Sequence, residues 1–351
     1  MSINTSKSTI NDVAREAGVS VATVSRVFNH KGIVRGDTYN HVIEAAEKLN
    51  YQGNRLIMKS SSQDTGKYKN SNLLIINIPS ISNPFYSQIV KGAQAAAIRY
   101  QCDILVSQGS INDYNVDAFT AMLQRVNAKG LIVLNNLSSS VTKALSAFIP
   151  VVKCCEYEDD DTVSSVGIDD LASTKSVMEY ILSTGRKKIA FVNGPLEYKY
   201  ARHRREGYLK AMNEAGIQIN PNWVIQLPDI SADMAFSSVA KLLSLPNPPD
   251  AFFTVSDVFA IAVVRAAQYN HYVIPDDIIV VGFDNIDISS MTTPSITTVN
   301  QPKFQLGFLS CELLVEKITN TRAEVQHMLL NTELIIREST ALPLPPVAAE
   351  S

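Results

Sequence analysis

Arginine, aspartate and aromatic residues recur in this chain where apolar runs give way to helical stretches. In parallel α/β sheets, ligands are held beyond the carboxyl ends of the strands. ISNPFY (81–86) follows one apolar run and puts Phe85 and Tyr86 at a helix start. NGPLEYKYARHRREGY (193–208) carries Arg202 and Arg204, VSD ends at Asp257, VGFDN supplies Asp284 and Asn285, and VNQP supplies Gln301. A carboxylate accepts paired hydroxyl hydrogen bonds, a guanidinium donates in a rigid fork, and rings cover the apolar face of a sugar. The set suits a polyhydroxylated small molecule. Each member also has a plainer reading: Asp257 as a helix cap, Gly282–Asp284 as a strand-end turn, and RHRRE as a solvated helix face.

Other chemistries lack their signatures. No Walker A, GxGxxG, GxSxG or HExxH string occurs, and the five histidines show no ligand spacing. With no nucleophile–base pair, no metal set and no cofactor motif, the chain reads as a binding protein and not an enzyme. Cys102, Cys154, Cys155 and Cys311 form neither a metal motif nor a disulfide framework. They read as reduced thiols of a cytoplasmic protein, with a redox role left open for the adjacent Cys154–Cys155. No apolar run reaches the ~18–20 residues of a membrane span. The start MSINTSKST has no apolar core of a secretory signal.

A second constellation lies at Thr9–Asn29, TINDVAREAGVSVATVSRVFN. Thr9 is a candidate N-cap, with Asp12 three residues on as a capping box. Val13, Ala14 and Ala17 share one face, and Gly18 stops the helix, since glycine turns left-handed without steric cost. Ser20 caps a second helix, Val21–Phe28. Val24, Val27 and Phe28 can pack inward, with Val21, Ala22, Ser25 and Arg26 on the opposite side. That is the layout of a helix-turn-helix, whose second helix presents an outward face to the DNA major groove. Helical spacing of Val42, Ala45, Ala46 and Leu49 predicts a third helix over 37–49 that closes a small core. Through residue 60 there are eight Lys/Arg against five Asp/Glu, a net +3, which leaves −6 for the rest of a chain of net charge −3. A basic head can face phosphates while an acidic body is repelled by them.

The string matches, at every fixed position, T-I-x-D-V-A-x-x-A-G-V-S-x-x-T-V-S-R-V-x-N. It resembles the N-terminus of the lactose-repressor/purine-repressor (LacI) family of bacterial regulators. The resemblance implies that Val21, Ala22 and Arg26 touch base edges. Arg26 can pair bidentately with guanine, and the two small residues can make only apolar contacts. Thr9, Ser20, Thr23, Ser25 and Asn29 are candidate phosphate contacts, which position the domain without reading sequence. Tyr51, Asn54 and Arg55 match the family's end of the third helix and the start of its hinge. Ser60, however, stands where relatives have a leucine that wedges into the minor groove. A serine supplies no apolar wedge, so weaker DNA bending is expected.

From Ser71 onward apolar runs alternate with helical stretches, which argues for parallel sheets built from βαβ units. Strands are expected at 73–78, 103–108, 130–135, 150–155, 165–169, 188–194, 223–228, 251–256, 278–284, 296–301 and 329–338. Helices are expected near 86–100, 114–127, 170–184, 201–215, 232–244, 257–270 and 303–319. So many strands suit two α/β halves better than one sheet. The expected fold is α/β: a three-helix helix-turn-helix head plus two doubly wound α/β subdomains of periplasmic-binding-protein type. By the resemblance the chain crosses between the halves near 168–171, 299–303 and 331–333. The expected division is a DNA-binding head at 1–52, hinge and linker at 53–72, and an effector and dimerisation domain at 73–340. Within that domain, 73–168 and 303–331 form one subdomain, 171–299 and 332–340 the other; 341–351 is a tail without the heptads of tetramerising relatives.

In the family the arginine four residues before the aromatic of a G-[WFY] pair and the aspartate of V-G-[FY]-D contact the effector; here these are Arg204, preceding Tyr208, and Asp284. Phe85, Tyr86 and Gln301 would line the same cleft. Three positions depart from the pattern: a frequent ligand aspartate becomes Cys155, an aromatic becomes Ile230, and the asparagine before Asp257 becomes Ser256. With a carboxylate and an aromatic gone, the surplus of arginines suggests an anionic sugar or sugar phosphate. The implied partners are a double-stranded, pseudo-palindromic operator, a sugar-like effector and a second copy of the chain, with no cofactor and no membrane. Nothing in the sequence separates repression from activation.

Overall fold

The computed structural model describes residues 9–29, 36–49, 72–157 and 162–341, apart from the side chains of Ser25, Arg26, Phe28, Asn29, Asp37, Asn40 and Glu47. The expectations for Ser25, Arg26 and Asn29 as contacts, and those for Tyr51, Asn54, Arg55 and Ser60, lie outside what is described. The chain divides between residues 69 and 70 into two units.

The first unit is built on α1 (Ile10–Glu16), α2 (Val21–Asn29) and α3 (Gly36–Lys48). Asp12 turns its carboxylate back to accept from the Thr9 backbone N–H (2.9 Å) and hydroxyl (2.7 Å), fixing the first turn of α1. Gly18 takes φ +65°, the left-handed turn that a side chain would oppose. Ser20 Oγ accepts from Thr23 N (3.1 Å) and starts α2. Val13, Ala14, Val24, Val27, Val42, Ala45 and Ala46 close the core between the three helices. Val21 and Ala22 point outward, Val21 with 41% of its surface exposed.

The second unit carries two six-stranded sheets. In chain order come β1 (Leu73–Ile78), α4 (Phe85–Arg99), β2 (Asp103–Gln108), α5 (Val116–Arg125), β3 (Gly130–Val133), α6 (Ser139–Phe148), β4 (Val151–Cys154) and β5 (Ser164–Ile168). Then follow α7 (Asp170–Ser183), β6 (Ile189–Asn193), α8 (Lys199–Glu214), β7 (Val224–Gln226), α9 (Ala232–Leu243), β8 (Ala251–Thr254), α10 (Asp257–Tyr269), β9 (Ile279–Asp284) and β10 (Thr297–Asn300). The chain ends through α11 (Lys303–Thr319), β11 (His327–Leu330) and β12 (Glu333–Ile335). The first sheet, in order β11-β5-β4-β3-β1-β2, is parallel throughout. The second, β12-β10-β9-β8-β6-β7, is parallel except for the antiparallel edge strand β12. The chain therefore passes between sheets three times: after β5, after β10 and between β11 and β12.

Two expectations needed revision. The run 329–338 is not one strand. His327–Leu330 pairs with β5 in one sheet and Glu333–Ile335 with β10 in the other, so the break at Asn331–Thr332 is a crossing. Helix α6 was not anticipated, because its serine-rich start reads as a turn. Ser138 Oγ caps it by accepting from Val141 N, and Val141 and Leu145 are its inward face.

The central strands of a parallel sheet are covered on both faces. Leu74 and Ile76 of β1 join the core under α4 and α11, while Ile75 joins that under α5 and α6. The backbones of α4 and α11 meet at a pair of glycines. A Cβ on Gly307 would stand 1.8 Å from the Ile89 carbonyl oxygen, and one on Gly92 2.0 Å from that of Phe304. Both obstacles are backbone, so the helices must move apart. Gly307→Ala is expected to destabilise the second unit by at least the roughly 1–3 kcal/mol typical of overpacking, measured by urea unfolding. A loss under about 0.5 kcal/mol would mean that the helices do not approach this closely.

Candidate functional site

The carboxyl ends of both sheets face one cleft. Its lining comes from the α4 start (Asn83, Phe85, Tyr86), from the ends of β3 to β5 (Leu134, Cys155, Glu156, Ile168) and from Asp170. The second half contributes Tyr198, Tyr200 and Arg204 at α8, with Ile230, Val255, Ser256, Asp284 and Gln301. Eight of the nine expected effector residues therefore come together: Phe85, Tyr86, Cys155, Arg204, Ile230, Ser256, Asp284 and Gln301.

Asp257 is the exception, and it is not the helix cap either. It is fully buried, and Ser256 caps α10 by accepting from Val258 N. Asp257 Oδ1 accepts from Thr298 Oγ1 at 2.6 Å and Oδ2 from Ile286 N at 2.8 Å. The side chain braces the loop after β9. Burial, then the neighbouring Asp284 charge, push its pKa up to about 7. Gly282 lies beneath it, where a Cβ would meet Asp257 Oδ1 at 2.2 Å.

Arg204 sits at the centre, 4% exposed. Its Nε donates to Asp170 Oδ1 at 2.9 Å, Nη2 stands 2.8 Å from the same oxygen as an ion pair, and Nη1 donates to the Val255 carbonyl at 2.6 Å. Nη1 also lies 3.7 Å from Asp284 Oδ1, and the guanidinium carbon is 3.4 Å from the centre of the Phe283 ring. Gln301 Nε2 donates to Asp284 Oδ1 at 2.7 Å. Burial lifts the Asp284 carboxyl to about 6 against the pull of Arg204 and Lys303. At Asp170 burial pushes the carboxyl up, but Arg204 and Lys199 outweigh it and hold it below the usual carboxylate range. Two lining residues hold positive φ, Cys155 at +71° and Asp284 at +108°, a backbone cost that functional sites tolerate.

Sequence reasoning missed Glu156, Asp170, Tyr198 and Tyr200. By type and position alone Asp170 is one of two adjacent aspartates at a helix start, and Glu156 opens an acidic run. The alternation Tyr198-Lys199-Tyr200 just before Arg204 was the available signal. The two tyrosine rings stack at 5.5 Å. Burial raises the Tyr86, Tyr198 and Tyr200 hydroxyls, Tyr198 to about 12, so all three are neutral donors at physiological pH.

The arginine surplus does not reach the cleft. Arg202 Nη1 donates to the carbonyls of Leu196 (3.2 Å) and Glu197 (2.7 Å), and Arg205 is exposed. Arg204 is the one arginine lining the cavity among the described residues, and carboxylates already match its charge. The geometry thus withdraws the argument for an anionic sugar. Among the described residues no group of His, Cys, Asp and Glu could hold a metal ion, and no helix is long and apolar enough to cross a membrane.

Glu156 carries a pH signature. Burial raises its carboxyl to about 7, against the backbone N–H and the charge of Lys199. A raised carboxyl contributes most to stability below its unfolded pKa, near 4.5, and that contribution is lost as pH rises to 7. Relative to Glu156→Gln, the wild type is expected to lose up to about 3 kcal/mol between pH 4.5 and 7.5, read by urea unfolding. A pH-independent difference between the two would contradict the assignment.

Comparisons with known proteins agree with this architecture. A family described as "Bacterial regulatory proteins, lacI family" matches residues 9–54, and a "Periplasmic binding protein-like domain" matches 178–340. Catabolite control protein A of Priestia megaterium is 31% identical over 338 residues, covering 95% of this chain and 99% of that one. The ribose operon repressor of Escherichia coli K12 is 31% identical over 339 residues, covering 94% and 99%. A solved complex of the transcriptional regulator CelR with cellobiose is similar at TM-score 0.70 and 26% identity, covering 95% and 100%.

Proposed function

This chain belongs to the lacI family of bacterial regulatory proteins, and from that premise we propose that it binds its operator as a homodimer and changes its grip when a neutral sugar or related polyol fills the cleft. It is a sequence-specific DNA-binding transcriptional regulator with an effector-binding domain. On this reading residues 1–52 read DNA, 53–72 connect, and 73–340 hold the effector and the dimer contact. A three-helix head is too small to read a long site, and two heads on a pseudo-palindrome solve that. On this reading it works on the bacterial chromosome in the cytoplasm, as a regulator and not an enzyme.

The observation that carries the effector class is the pairing of Arg204 with Asp170 and Asp284 in a cleft lined by Tyr86, Tyr198 and Tyr200. Such a site offers acceptors, donors and ring faces but no spare positive charge, which suits hydroxyl groups. Two relatives support it: one is named for a ribose operon and one was solved with cellobiose. Phe85, Tyr86, Arg204, Asp284 and Gln301 are the residues assigned to the ligand, with Cys155, Ile230 and Ser256 shaping the wall.

Thermal-shift screening against paired neutral sugars and sugar phosphates tests the class, followed by operator binding with each hit. A neutral ligand is expected to raise the melting temperature and change operator affinity at least fivefold, the low end of ordinary allosteric coupling of roughly 5–150-fold. Binding of the phosphorylated members alone would overturn the assignment.

A further inference from the structure

The start of α8 is held from across the cleft. Glu156 follows β4 in the first half of the unit, and α8 belongs to the second. Its Oε2 accepts from Lys199 N at 2.7 Å and its Oε1 from Tyr200 N at 3.5 Å, the first two amides of the helix. Two neighbours reinforce the contact. Asn136 Nδ2 donates to the Glu197 carbonyl at 2.5 Å, and Lys199 Nζ lies 3.9 Å from the centre of the Tyr157 ring.

A helix opens with N–H groups that lack intrahelical partners, and their partial positive charge favours an anion. Here the anion belongs to the protein. Glu156 is 4% exposed and lines the cavity. The cations nearby are engaged as well. Arg204 is held by Asp170 and the Val255 carbonyl, and Lys199 Nζ by Asp170 Oδ2 at 3.1 Å. Lys303 Nζ is held by the carbonyls of Asp284, Asn285 and Gln301. A ligand anion would meet Glu156, Asp170 and Asp284, with every cation named here already paired.

We propose that Glu156 sets the charge of the effector: it fills the α8 terminus with an internal carboxylate and so restricts the cleft to neutral ligands. Removing it turns the same place into a seat for a phosphate group. The inference rests on the cleft being the effector site.

The test is calorimetry on the full chain at pH 8, where Glu156 is ionised, with inorganic phosphate as the probe. Glu156→Ala is expected to bind phosphate at least tenfold more tightly than the wild type. Glu156→Gln, which loses the charge but keeps an oxygen at the terminus, is expected to gain less. Amide hydrogen exchange locates the ion: phosphate should slow exchange across residues 197–204 in Glu156→Ala and not in the wild type. Phosphate affinities within twofold across all three proteins would overturn the proposal, as would a gain without protection at 197–204. Failure of the effector reading looks different: operator affinity would then ignore every cleft ligand, whatever phosphate does.

Discussion

Replacing Arg204 with methionine is expected to destabilise the second unit by about 3–5 kcal/mol and to abolish its response to effector. The magnitude is that of removing one partner from a buried ion pair, which leaves an uncompensated charge behind. Arg204 is matched to two buried carboxylates, Asp170 and Asp284. Without it Asp170 keeps only the Lys199 ammonium, and Asp284 keeps the Gln301 amide and the Lys303 charge. Methionine fills the volume against Phe283 but cannot donate. The pH dependence follows. The Arg204 charge lowers the Asp170 and Asp284 carboxyls, so its contribution is present at neutral pH and fades as acid protonates them. Urea unfolding of the variant should show its largest deficit near pH 7 and a smaller one near pH 4. Adding Asp170→Asn should recover part of the loss, since the two sites are coupled. A deficit under about 1 kcal/mol, equal at both pH values, would remove Arg204 from the centre of the site.

The second large effect is on DNA. Arg26→Ala is expected to cost ~1–3 kcal/mol at the specific operator and less on unrelated duplex. Ala22 of α2 is exposed and Val21 is 41% exposed, while Val24 and Val27 are buried against the other helices. Arg26 follows Ala22 by four residues, about one helical turn. It is the one residue of α2 able to pair bidentately with guanine. Substitutions at Thr23 or Ser20 should instead weaken specific and random DNA alike, as phosphate contacts do. Affinity for both should fall with added salt. Equal losses on the two DNAs for Arg26→Ala would reassign it to the backbone.

Both sites were partly legible in the sequence, for physical reasons that also explain the gaps. The turn between α1 and α2 was readable because a capping carboxylate and a left-handed glycine are local devices, fixed by residues three or four apart. Strand cores such as LLIINI and IIVVGFD were readable because a doubly covered sheet demands continuous apolar runs. Helix α6 was not, since its opening serines favour turns and Val141 and Leu145 are a thin apolar signal. Asp284 could be placed as an aspartate at a strand end, and Arg204 only through the resemblance, by its spacing from the aromatic of the G-aromatic pair, since it lies within α8. Glu156 and Asp170 could not, because their roles depend on which helix lies across the cleft. Asp257 shows the converse: its type and position suited a ligand contact, but Thr298 and the Ile286 amide from neighbouring segments claim both of its oxygens.

The central claim is that occupancy of this cleft changes the hold on DNA. It is tested most directly by titrating the strongest neutral hit from the sugar screen into operator-bound protein, followed by fluorescence anisotropy, in wild type and Arg204→Met. The account predicts at least a fivefold change in operator affinity for the wild type, a reciprocal change in sugar affinity when operator is present, and no change for the variant. A sugar that binds the wild type by calorimetry yet leaves operator affinity unchanged, or shifts both proteins equally, would contradict it.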